Sequence, residues 1–224
     1  MDDNVKVIEI KSGVLNKNDR DAATLRKSLK DNGIFLLNLM SSPGSGKTTT
    51  LIQLINQLKG EFKIAVMEAD IDSDVDAKTI IRETGVESIQ LHTGGMCHLD
   101  AEMTAQGIDN LADKHYDLVV LENIGNLVCP AEYDTGAELN MTILSVPEGE
   151  DKPLKYPLMY SVCDAVVINK IDTLKVFDFD IERCTANVRS RNPKAAVFAI
   201  SAKTGEGINT LASYIKNLIK EWRE

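Results

Sequence analysis

Ile34-Phe35-Leu36-Leu37-Asn38-Leu39-Met40 runs straight into Ser41-Ser42-Pro43-Gly44-Ser45-Gly46-Lys47-Thr48. The first stretch is a short apolar run of strand length. The second is a glycine-rich turn closed by Lys-Thr. Leu51, Ile52, Leu54, Ile55 and Leu58 then recur at helical spacing. Strand, glycine turn and helix start, in that order, predict a phosphate-binding loop. Successive backbone N–H groups at a helix start converge on an anion, and the helix dipole adds partial positive charge. Lys47 would reach the β- and γ-phosphates, and the Thr48 hydroxyl would ligand Mg2+. Gly44, Ser45, Gly46 and Thr49 would complete the cradle. One position departs from G-x-x-x-x-G-K-[ST]: Ser41 stands where the first glycine is usual.

Outward from this loop, apolar runs alternate with helical patterns. Strands are expected at Ile34–Met40, Lys63–Ala69, Ser88–Leu91, Asp117–Ile124, Met141–Val146, Ala165–Asn169 and Ala195–Ile200. Helices are expected at Thr48–Leu58, Asp74–Glu83, Leu99–Lys114, Lys155–Cys163, Asp180–Arg191 and Gly207–Trp222. Strands apolar throughout and alternating with helices predict an α/β fold, a mostly parallel sheet covered on both faces. Ligands of such a sheet sit beyond the carboxyl ends of its strands. Residues 1–33 read as an N-terminal cap, with a short strand or loop around Val5, Val7, Ile8 and Ile10 and a charged helix over Ala22–Asp31. Residues 34–224 read as the nucleotide-binding domain.

The base is predicted from Asn169-Lys170-Ile171-Asp172 and Ser201-Ala202-Lys203, each at the end of a buried strand. A carboxylate accepts from both the ring N–H and the exocyclic amine of guanine, a pair adenine lacks, so Asp172 selects GTP or GDP. Lys170 would cover the base, Asn169 would tether neighbouring loops, and the Ala202 N–H would meet the guanine carbonyl. For Mg2+ and hydrolysis, Thr48, Asp70 and Glu122 are the expected ligands, with Gly125 sensing the γ-phosphate. Asp74 reads as a solvated helix start, and Asp72 and Asp76 stay open. No glutamine or arginine is placed to orient water or supply positive charge, so slow intrinsic turnover is expected.

Gly94-Gly95-Met96-Cys97-His98 and Leu127-Val128-Cys129-Pro130 form a second constellation. Thiolate and imidazole ligands suit Zn2+ or Ni2+. The glycine pair can hold an irregular backbone, so that adjacent residues converge. Cys129 lies four residues beyond Gly125, a reach of at most about 14 Å. A γ-phosphate that draws Gly125 inward would also move Cys129. Cys163 and Cys184 read as small apolar groups, and His92 and His115 as a loop residue and a helix-end residue.

The 224 residues suit one large domain or one domain with an appendage, and 43% hydrophobic content supplies a full core. A net charge of −9 weighs against nucleic acid or an anionic membrane as general partners. Met1-Asp2-Asp3-Asn4 does not open a signal peptide and no run approaches a membrane span, so a cytoplasmic location is expected. The four cysteines are then thiols or metal ligands.

Ser42-Pro43-Gly44-Ser45-Gly46-Lys47-Thr48, Gly94–Asp100, Glu122-Asn123-Ile124-Gly125-Asn126-Leu127-Val128-Cys129-Pro130-Ala131 and Asn169–Asp172 together resemble the HypB family of hydrogenase nickel-incorporation GTPases. The likeness runs from Ile34 to the C-terminus. It implies a phosphate-loop GTPase fold of the SIMIBI type and a GTP-hydrolysing metallochaperone for [NiFe] hydrogenase. It implies a GTP-promoted homodimer with Cys97, His98 and Cys129 binding Zn2+ or Ni2+ near the interface. It also implies a partner maturation protein and the hydrogenase large subunit as partners. Residues 1–33 contain no Cys or His, so tight N-terminal nickel binding and bulk storage do not carry over. Glu148–Pro153 resembles a family loop near the base, from which Lys152 would reach a neighbouring subunit's nucleotide. Two alternatives stand beside this reading: a dimerising metal-binding scaffold with little turnover, and an accessory GTPase for another nickel or cobalamin enzyme.

Overall fold

The computed structural model describes residues 10–70, 74–113 and 115–224. Strands β1 (Phe35–Ser41), β2 (Ile64–Asp70), β3 (Glu87–His92), β4 (Leu118–Glu122), β5 (Leu139–Ser145), β6 (Ala165–Asn169) and β7 (Ala196–Ala199) form one sheet. Its order is β3-β2-β4-β1-β5-β6-β7, and every pairing is parallel. Around it lie α1 (Ile10–Asp31), α2 (Lys47–Leu58), α3 (Val75–Thr84), α4 (Ala101–Asp109), α5 (Cys129–Glu132), α6 (Lys152–Lys155), α7 (Pro157–Val162), α8 (Ile181–Arg189) and α9 (Ile208–Arg223). This is the doubly covered phosphate-loop architecture the apolar runs predict, and each expected strand is found close to its expected bounds.

Alternation along the strands divides the core. Phe35, Leu37 and Leu39 of β1 pack with Leu51, Leu54 and Ile55 of α2 and Leu211 and Ile215 of α9. Leu36 of the same strand packs on the opposite side with Leu29 of α1 and Val119 and Leu121 of β4. All seven residues of β1 are buried, which is why the run is apolar without interruption by charge. Each such side chain leaving water contributes roughly 1.5–3 kcal/mol.

Three expected helices change. The N-terminal helix is longer than its expected Ala22–Asp31, because it opens at Ile10. Its Asn18 is buried and bonded, with Nδ2 donating to the Asp134 carbonyl (3.0 Å) and Oδ1 accepting from the Ala101 N–H (2.9 Å). Val5, Val7 and Ile8 lie outside the described residues. The expected Leu99–Lys114 helix shortens to α4: the Asp100 carboxylate caps its start by accepting from the Met103 N–H (2.8 Å), and it closes at Asp109, where the Asn110 N–H turns back to the Gly107 carbonyl (3.1 Å). The expected Lys155–Cys163 helix is two pieces. Pro157 forces Tyr156 out of helical geometry, to φ −122° and ψ 59°.

Register sets up the site. Leu39 of β1 and Glu68 of β2 both stand opposite Glu122 of the intervening β4, near the carboxyl ends of all three strands. No helix among the described residues is long and apolar enough to cross a membrane.

Candidate functional site

The phosphate loop leaves β1 and enters α2 through two left-handed glycines, Gly44 (φ 76°) and Gly46 (φ 97°). A Cβ on Gly46 would lie 2.5 Å from Asn169 Nδ2, so this position has neither the conformation nor the space for a side chain. The loop borders a cavity of ≈ 660 Å3 lined by Lys47, Thr48, Thr49, Glu68, Asp70, Asp76, Glu122, Gly125 and Lys170, among others. Lys47 Nζ donates to Ser41 Oγ (3.1 Å), and the Thr48 hydroxyl donates to Glu122 Oε1 (3.1 Å).

Asn169 tethers the loops as expected. Its Nδ2 donates to the Ser45 carbonyl (2.9 Å), and its Oδ1 accepts from the Ala202 N–H (3.1 Å). The Ala202 N–H therefore serves this tether, where the sequence reading had it free for a base carbonyl. Lys170, at φ 64°, lays its stem across the phosphate loop and donates to the Gly44 carbonyl (2.6 Å). Asp172 accepts from the Ser201 hydroxyl (2.7 Å), which orients one carboxylate oxygen. Lys203 is exposed beyond them.

The expected Asp70 and Glu122 both line this cavity, and Glu68 and Asp76 join them. Glu68, Asp76 and Glu122 each bring an oxygen within 4.8 Å of the others. Asp70 lines the same cavity, two residues further along β2. A strand's side chains alternate, so 68 and 70 share a face, and Glu68 lies deeper. Asp76 joins the group, and Asp72 lies outside the described residues. Burial pushes the Glu68 carboxyl well up, and the Glu122 charge adds to the effect. Burial also raises Glu122, opposed by Lys47. Glu68 Oε2 and Glu122 Oε2 are buried without a hydrogen-bond partner. Hard oxygen donors beside the Thr48 hydroxyl fit a small divalent cation. Glu68 was recoverable from sequence as the one charge inside Ile64-Ala65-Val66-Met67-Glu68-Ala69.

The sulfur constellation does assemble. Cys97 Sγ lies 2.7 Å from Cys129 Sγ and 4.0 Å from His98 Nδ1. Gly94 (φ 63°) and Gly95 (φ 95°) provide the irregular backbone. Asn126 joins the two segments, with Nδ2 donating to the Cys97 carbonyl (3.4 Å) and Oδ1 accepting from the Val128 N–H (2.9 Å). The His98 ring stacks on Tyr133 at 3.7 Å and 11°, a contact the sequence reading missed. Burial lowers the His98 pKa, and the Cys129 thiol beside Cys97 raises that of Cys97. Two thiols and a largely neutral imidazole are a donor set for a soft or borderline metal ion.

The two sites touch through one short segment. Gly125 packs on the phosphate loop so closely that a Cβ there would lie 3.1 Å from Pro43 Cγ and 3.3 Å from Pro43 N. Four residues later the chain reaches Cys129, where α5 begins with Pro130 in its first turn.

Residues 35–199 match the family described as "CobW/HypB/UreG, nucleotide-binding domain". The hydrogenase maturation factor HypB of Rhizobium leguminosarum bv. viciae is 43% identical over 211 residues, covering 94% of this chain and 70% of the relative. The chain belongs to the HypB family of hydrogenase maturation factors. A crystal structure of HypB from Helicobacter pylori in complex with nickel superimposes with a TM-score of 0.85 at 40% identity, covering 92% of this chain and 96% of that one. HypB from Archaeoglobus fulgidus superimposes at 0.84 with 32% identity, covering 92% and 100%. The family match takes in β1 through β7, and so both the phosphate loop and the sulfur constellation of this HypB relative. It leaves α1, Ser201-Ala202-Lys203 and α9 outside.

Proposed function

We propose that the protein is a GTP-hydrolysing metallochaperone whose cargo is nickel for a [NiFe] hydrogenase. One observation carries the reading: Gly125 rests on Pro43 of the phosphate loop, while Cys129, four residues on, meets Cys97 at 2.7 Å. Nucleotide state and metal site thereby share a backbone segment. Lys47 and the loop N–H groups hold the phosphates, and Asn169, Lys170, Asp172 and Ser201 hold guanine. Thr48, Asp70 and Glu122, with Glu68 and Asp76 beside them, would hold Mg2+, which would supply charge neutralisation for the phosphates. Cys97, His98 and Cys129 take Ni2+ as cargo or Zn2+ in its place. No arginine or glutamine occurs among the described residues lining the phosphate cavity, which supports slow turnover raised by a partner.

The assembled form is a homodimer that meets through the sulfur constellation. Met96 and Val128 flank it and are exposed, at 41% and 52%, an apolar rim suited to burial by a second copy. Delivery then involves a partner maturation protein and the hydrogenase large subunit, in the cytoplasm.

Sedimentation with GDP or a non-hydrolysable GTP analogue, each with and without Ni2+, tests the proposal together with phosphate release. We expect assembly favoured by the triphosphate and by metal, and turnover that vanishes in Lys47→Ala. Nucleotide binding without turnover would leave a dimerising scaffold in its place.

A further inference from the structure

Ser41 occupies the position where the phosphate-loop pattern carries glycine, and its hydroxyl is fully buried. It has two partners. It donates to the Ser42 carbonyl (2.7 Å), which commits its proton. Its remaining lone pairs then face Lys47 Nζ, which donates to it at 3.1 Å. Ser42 is itself anchored. Its hydroxyl donates to Glu148 Oε1, and Glu148 Oε2 accepts from the Ser145 N–H (2.8 Å) and hydroxyl (2.7 Å). Lys152 Nζ stands 3.7 Å from the same carboxylate, with both side chains mostly buried. The Ser42 carbonyl also receives the Ser45 N–H (3.5 Å).

We propose that Ser41 is a positioning residue that parks Lys47 on its own loop in competition with nucleotide phosphate, and that Glu148 sets the parking place by fixing Ser42. The reading rests on the phosphate-loop assignment above. A glycine at position 41 offers no side-chain acceptor, so this bond to Lys47 would be absent. Here phosphate must draw Lys47 away from a buried, oriented hydroxyl, so each binding event forfeits a charge-assisted hydrogen bond. Affinity is thereby set below what the loop geometry permits, and product release is correspondingly faster.

The test is equilibrium binding of mant-GDP to the full chain. Ser41→Ala should bind about five- to tenfold tighter than the parent, chiefly through slower dissociation. The gain should disappear when Lys47 is also Ala. Glu148→Ala should tighten binding less, and should add nothing in the Ser41→Ala background, since the two act through one chain of bonds. Equal or weaker binding by Ser41→Ala overturns the inference. So does a gain that persists without Lys47, because the residue would then act on loop shape alone. Absence of mant-GDP binding by the parent chain would overturn the nucleotide-site reading beneath it.

Discussion

Gly46 has no tolerance for a side chain, and this gives the plainest test at the scale of single residues. Its φ of 97° is costly for any L-residue, and the added Cβ would press on Asn169 Nδ2. Gly46→Ala is expected to lose at least about 1–2 kcal/mol in chemical denaturation. It should also loosen mant-GDP, because Asn169 carries the tether from Ser45 to Ala202. Asp172 answers a different question. With one oxygen held by Ser201, its carboxylate has a fixed direction. Asp172→Asn should cut discrimination of GTP over xanthosine triphosphate by about 100-fold or more in competition binding. Unchanged preference would remove guanine from the account. Residues of this kind were legible in the sequence because short motifs place them between a strand and a helix. Glu148 was not read as Ser42's partner. It lies 106 positions further along the chain, and only the adjacency of β1 and β5 brings the two together.

Among the elements, α1 and α9 lie outside the family match, yet each closes part of the sheet. Asn18 of α1 satisfies the Ala101 N–H at the start of α4 and the Asp134 carbonyl. Asn18→Ala leaves both without that partner, and a loss of about 1–3 kcal/mol is expected from urea unfolding. Arg223 near the end of α9 donates to Asp117 (2.5 Å), which also accepts from the Lys63 N–H (2.6 Å). Burial alone would raise the Asp117 carboxyl, but the Lys63 N–H and the Arg223 guanidinium outweigh it and hold it below its ordinary value. A carboxylate depressed in the folded state stabilises above its unfolded pKa, and that contribution is lost as pH falls through the folded value. Asp117→Asn should therefore be less stable than the parent at neutral pH, with the difference shrinking below about pH 4 in a melting series. Strands were readable as elements because burial on both faces keeps them apolar. The four-residue α5 was not, since one turn of Cys129-Pro130-Ala131-Glu132 has no period to detect. The split at Tyr156 was signalled by Pro157, which the periodicity reading passed over.

At the scale of the whole molecule, the contact of Gly125 with Pro43 predicts communication between its two chemistries. Gly125→Ala pushes a Cβ to 3.1 Å from Pro43 Cγ and 3.3 Å from Pro43 N, so the segment to Cys129 and the loop must shift apart by a few tenths of an ångström. We expect mant-GDP binding to survive while Ni2+ affinity stops responding to nucleotide, measured by titration in GDP and in a GTP analogue. A response equal to that of the parent would sink the connection. Sheet order carries a separate consequence, for biosynthesis. The phosphate loop sits near residue 45, yet β1 lies between β4 and β5, and the residues proposed above to hold guanine, 169–172 and 201–203, come late in the chain. Parallel neighbours so distant along the chain pair slowly. A ribosome must therefore extrude nearly all of the polypeptide before the anion trap acquires selectivity for its base. Until then, the emerging chain would meet adenine and guanine nucleotides on equal terms.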